Sequence, residues 1–89
     1  MKKYRKKPVV IDAEQWFLDK DVEGVEYKLK GWVVDPTNKT QQKLYHYVVN
    51  TLEGEMTVSP GDWIIKGVEG EYYPCKDSIF KKTYEEVTE

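Results

Sequence analysis

Cysteine occurs once in the 89 residues, at Cys75, so no disulfide can close within the chain and no CxxC pair exists. That usage fits a reducing compartment better than a disulfide-stapled secreted scaffold. Histidine also occurs once, at His46. One His and one Cys cannot make a tetrahedral metal site without carboxylates or a second subunit. Phosphate-cradling loops are missing, since neither GxxxxGK[ST] nor GxGxxG is present. With no such signature, no cofactor is expected. Long apolar runs are lacking, which removes a membrane-spanning helix. The basic opening MKKYRKK leads into the short PVVI and then Asp12 and Glu14, without the apolar stretch of a secretion signal. The expected location is the cytoplasm of the cell that makes the chain.

Charge is nearly balanced, at −2 overall, but unevenly placed. Residues 1–7 carry five positive charges and no negative one, which leaves the rest of the chain acidic. Such a basic N-terminal arm can meet a phosphate-bearing ligand or pair with carboxylates of its own body. Apolar residues make up only 39%, yet aromatics reach 13%, and rings supply much buried area per residue. A single domain over residues 1–89 follows. A chain so short buries only about 60–65% of its unfolded surface, so completion of the core by a second copy, a homo-oligomer, is expected.

Short strands dominate the patterning. Residues 8–17 are rich in β-branched side chains and place Val9, Ile11, Ala13 and Phe17 on one face. Residues 18–24 read as a loop or at most one helical turn. From Val25, alternation sets Val25, Tyr27 and Leu29 against Glu26, Lys28 and Lys30, and Gly31 then shifts the register as a bulge or bend would. Residues 35–42, DPTNKTQQ, hold no apolar side chain and read as a surface loop. KLYHYVVNT is apolar on both faces, as a central strand would be. Gly54 suits the positive φ of a hairpin into EMTV, and Ser59-Pro60-Gly61-Asp62 suits a type II turn into WIIK. There Asp62 would accept hydrogen bonds from nearby amides while Trp63 enters the core. A further hairpin leads to EYYPC, whose Pro74 places that strand end at an edge. Asp77 or Ser78 can cap a helix over 77–88, with Phe80, Tyr84 and Val87 on one face. The predicted fold is mainly β with one C-terminal helix (α+β). Its expected form is a strongly curled antiparallel sheet, or partly open small barrel, of five to six strands plugged by the helix.

The blocks YRKKPVVIDAEQW, TLEGEMTVSPGDWIIKGVEGEYYPCK and DSIFKKTYEEV resemble those of small, largely uncharacterised proteins of phages and prophages of Gram-positive bacteria. The resemblance covers about two thirds of the chain by eye and is nearly silent on chemistry. It implies a phage-encoded protein acting in the host cytoplasm.

Catalysis needs an activated group with a partner. Cys75 and His46 form the sole nucleophile and base combination, but a lone Cys at a strand end and a lone His in an aromatic strand more often serve packing. A hydrolase built on His46 and carboxylates is therefore the weakest of three readings, and the chain is expected not to be an enzyme. The surplus of rings carries more weight, because so many aromatics exceed what a core this size buries. Exposed rings beside the basic arm suit stacking on bases with charge on phosphates; the plainer alternative is a core and a subunit interface. Expected ligand contacts are Lys3, Tyr4, Arg5, Lys7, Trp16, Tyr45 and Tyr47. The first reading is a binding protein that sequesters a small anionic ligand, such as a nucleotide signal of host defence. The second is an accessory factor docking on a host or phage protein through a strand edge near residues 71–76. Neither a membrane nor a long nucleic acid is an expected partner.

Overall fold

A computed structural model describes residues 1–87. Six strands and one helix follow in the order β1 (Asp12–Gln15), β2 (Val25–Val34), β3 (Gln41–Thr51), β4 (Gly54–Thr57), β5 (Trp63–Lys66), β6 (Tyr72–Cys75) and α1 (Asp77–Thr83). They build two open three-stranded antiparallel sheets, ordered β1-β5-β6 and β2-β3-β4. The expected single curled sheet or barrel is therefore corrected. Strand β4 pairs with β3 alone, and the Pro60-Gly61 turn sends the chain into the other sheet, so neither sheet closes. The helix plugs nothing: none of its residues is buried.

Local chemistry accounts for the elements. In β2 the register with β3 slips between Leu29 and Gly31, leaving Lys30 as the extra residue of a bulge. Gly54 and Gly61 take the positive φ their turns require, 113° and 94°. Residues 35–40 are the loop, knitted by Asp35 Oδ1 accepting from the Thr37 amide (2.8 Å) and Asn38 Oδ1 from the Thr40 amide (3.1 Å). Gln41 and Gln42 already belong to β3, so the expected 35–42 loop is shorter by two residues. The first strand is also shorter than expected. Val9 and Val10 lie exposed outside any strand, and Trp16 rather than Phe17 enters the core. Helix α1 stops at Thr83 because Tyr84 is extended at φ −124° and ψ 151°. The expected helix thus loses Tyr84 and Val87, and residue 88 lies outside the described residues.

The core forms where the sheets meet. Trp16, Val22, Val49, Val58 and Ile64 make one buried cluster, flanked by Val25, Tyr47 and Tyr72. Val48 and Ile65 are also fully covered, on the opposite faces of the same two strands. The central strands β3 and β5 are thus shielded on both sides here. Fully burying one such side chain contributes about 1.5–3 kcal/mol. A polar clamp seals the adjoining end. Buried Asp62 accepts from the Ser59 amide (2.9 Å) and from Lys76 Nζ (3.0 Å). Asp77 caps no helix terminus. Its carboxylate instead accepts from Trp63 Nε1 (2.9 Å) and Gln15 Nε2 (3.4 Å). Trp63 is half-buried and stacks on Phe80, with centroids 4.1 Å apart. Away from this end, β2 and β3 continue as a two-stranded ribbon, and the radius of gyration is 17.3 Å.

Candidate functional site

A cleft lies where the basic arm crosses the hairpin between β5 and β6 and the end of α1. Its volume is about 330 Å³, near the lower end of small-molecule sites, about 300–1,000 Å³. Lys6 and Lys7 enter it from the arm, and Pro8, Val9, Ile11 and Val68 give it apolar walls. Tyr73 and Tyr84 supply the rings. Tyr73 projects from β6 on the face opposite Tyr72, which packs on the core, so strand alternation delivers it to the cleft. Tyr84 is held by its amide donating to the Phe80 carbonyl (2.8 Å), and its ring stacks on Phe80 at 5.0 Å. Through Phe80 the stack reaches Trp63 and the Asp77 clamp.

Charge in the cleft favours anions. Lys6 Nζ stands 5.8 Å from the Tyr84 ring centroid, a cation–π distance. Among the described residues Glu71 is the one carboxylate in the lining, and it accepts from the Glu69 amide of its own hairpin at 2.9 Å. The Gly67 amide donates to the Glu71 carbonyl at 2.8 Å, and Gly70 closes the turn at φ 82°. The Tyr84 hydroxyl beside it, and then burial, push the Tyr73 phenol up to about 12. Tyr73 therefore stays neutral and able to donate at physiological pH. The Thr83 hydroxyl is committed to the Ile79 carbonyl at 2.8 Å.

A second, smaller cleft of about 110 Å³ has the opposite character. Asp12, Glu14 and Glu23 line it, and its cation Lys66 is occupied by Glu23 at 3.5 Å. Coulombic attraction to Glu23 raises the Lys66 pKa above its ordinary value. Such a site repels anions and has room only for a few waters.

The seven expected contact residues are not brought together. Lys7 lines the basic cleft; Lys3, Tyr4 and Arg5 sit nearer the chain start, exposed, with Tyr4 at 90%. Trp16 is corrected: at 2% exposure it is a core residue and offers no ring face to a ligand. Tyr47 is half-buried against Trp16, centroids 4.7 Å apart. Tyr45 stacks on Tyr27 at 5.0 Å, in the other sheet from β6. Lys6, Tyr73 and Tyr84 were missed as site residues. The signal for Tyr73 was its alternation with Tyr72, and for Tyr84 its spacing from Phe80.

Cys75 and His46 stand in different sheets. Cys75 Sγ contacts the Lys76 carbonyl at 3.6 Å, and burial raises its pKa. His46 lies near Thr57 (3.4 Å) and Glu55 (3.8 Å). Neither has the other as a hydrogen-bond partner among the described residues. No group of three or more His, Cys, Asp or Glu side chains suited to a metal occurs among them. No helix among them is long and apolar enough to cross a membrane. No family model matches the chain, and neither does any curated protein or solved structure.

Proposed function

We propose that the chain is a non-enzymatic binding protein that holds a small anionic, ring-bearing ligand of the nucleotide class in the basic cleft. The observation that carries this reading is the convergence of Lys6 and Lys7 with the Tyr73 and Tyr84 rings in a cleft where, among the described residues, two lysines face one carboxylate. Lysines neutralise phosphate as point charges, and aromatic faces stack on bases of any identity. The cleft volume suits one mononucleotide unit. The resemblance to phage proteins supplies the setting, a host cytoplasm in which sequestering a nucleotide signal of host defence would serve the phage.

A thermal-shift screen tests this with nucleoside monophosphates, cyclic di- and trinucleotides and ADP-ribose derivatives, followed by chromatography of any ligand that stabilises the chain. Binding to the folded state raises the melting temperature by mass action. The expected result is a shift that Lys6→Ala with Lys7→Ala removes, with the ligand recovered unchanged. No shift across the panel sinks the reading, and chemically altered ligand replaces it with an enzyme.

A second reading, docking on a host or phage protein, is favoured by the edge position of β6, which has only β5 as a ladder neighbour. It predicts no small-molecule response and a partner recovered through residues 71–76.

A further inference from the structure

Among the described residues four strand edges are free, and three of them are blunted in ordinary ways. Strands β1, β4 and β6 have four residues each, and β6 contains Pro74. The fourth, β2, has ten residues, no proline and one outer side without a neighbour. Long open edges are templates for pairing with another chain, and monomeric proteins shorten, twist or block them. The molecule, with this ribbon and the exposed basic arm, is also unusually extended. Its radius of gyration of 17.3 Å compares with about 12 Å for a compact chain of this length.

The segment of β2 ahead of the bulge is complementary to itself. It reads Val25, Glu26, Tyr27, Lys28, Leu29, and the bulge at Lys30 ends the regular run. Laid antiparallel against a second copy and centred on Tyr27, it sets Val25 opposite Leu29 and Glu26 opposite Lys28, twice over. Centring on Glu26 or on Lys28 instead opposes like charges, which is unfavourable. A slip that brings Tyr27 opposite Lys28 puts charge on the apolar face. On the charged face Lys28 Nζ lies 3.3 Å from Glu26 and 3.2 Å from Glu55 of the same chain, contacts that it would exchange for the partner's Glu26. On the other face Tyr27, 61% exposed, stacks between Tyr45 and Tyr47 at 5.0 and 4.8 Å. Two copies would bring the Tyr27 rings side by side and join both stacks.

We propose that two copies of the chain join edge to edge along β2, antiparallel about a two-fold axis at Tyr27, so that the β2-β3-β4 sheets continue as one six-stranded sheet. The pairing is isologous and closes on itself, which limits it to a dimer. Each Glu26 faces the partner's Lys28, and the basic clefts remain separate on the two protomers.

Sedimentation velocity over a concentration series tests the proposal. The wild-type chain is expected to dimerise, while Glu26→Lys and Lys28→Glu are each expected to sediment as folded monomers. Mixed in equal amounts, the two variants again oppose unlike charges and are expected to form a mixed dimer. Tyr27→Cys in a Cys75→Ser background provides a readout independent of charge. Residues directly opposed across an antiparallel pair have Cα atoms about 4.5–5.5 Å apart, within the span of a disulfide, so mild oxidation should cross-link the dimer. A wild-type monomer at every concentration overturns the proposal. So does a dimer that both charge variants retain, or a folded pair of variants that fails to associate on mixing.

Discussion

The two halves of β3 occupy opposite environments. At one end Val48 and Val49 are fully covered between the sheets, whereas Leu44 and Tyr45 at the other remain exposed with only β2 beside them for support. The covered half is bonded to β2 on one side and β4 on the other, the exposed half to β2 alone. An isolated two-stranded ribbon is marginal in water, so a third strand and packing together separate the halves. The stable part of the molecule is the end where Trp16, Val22, Val49, Val58 and Ile64 meet, and the cleft is built against that end through Phe80 and Trp63. The ribbon carries its apolar residues outward, as an interaction surface does.

The sharpest way to break this contrast is to cut the same residue type at both ends. Trp16→Ala is expected to destabilise by about 3–5 kcal/mol, a large part of the about 5–15 kcal/mol of a typical domain. Urea unfolding near neutral pH should show the midpoint fall steeply, in proportion to that loss. Gly24→Ala comes next. Gly24 has φ +92°, and a Cβ there would meet the Tyr72 ring at 2.7 Å, while Tyr72 is braced by the core cluster. Strain and overpacking together should cost about 1–3 kcal/mol, again by urea unfolding.

Asp77 yields a smaller effect with a pH signature. The Trp63 indole, then Lys81, hold its carboxyl below the ordinary range. With the folded pKa below the unfolded one, the stabilisation is present above the unfolded value and is lost as pH falls through the folded value. Melting temperature followed against pH should therefore drop at the acid end in the wild type. In Asp77→Asn it should start lower near neutral pH and show a shallower acid decline. The smallest effect belongs to the ribbon. Trp32 is 56% exposed, with Lys43 Nζ 5.3 Å from its ring, and Trp32→Thr should change stability by only about 0.5 kcal/mol or less. A loss comparable to that of Trp16→Ala would mean that the ribbon is part of the core.

What was legible in the sequence was local. The alternation of β2, the register shift at Gly31 and the positive φ of Gly54 and Gly61 each depend on a few neighbouring residues. The division into two sheets depends on β1 pairing with β5, some fifty residues away, and strand count and spacing carry no information on such partners. The helix assignment failed in a similar way. Asp77 looks like a cap beside its own helix, but Trp63 and Gln15 take its carboxylate, and Val87 extends an apolar period that the backbone leaves at Tyr84. Val22 hid in an acidic stretch and proved to be core. For the cleft, Lys7 could be singled out from the basic arm, yet its companions Tyr73 and Tyr84 converge only once β6 and the end of α1 are placed side by side.

The most direct measurement is an amide and side-chain NMR titration of the intact chain with adenosine monophosphate. Binding in the basic cleft predicts saturable shifts at Lys6, Lys7, Tyr73 and Tyr84, with Tyr27, Tyr45 and Trp32 on the ribbon unmoved. Shifts confined to the ribbon, or none at any concentration, would contradict it.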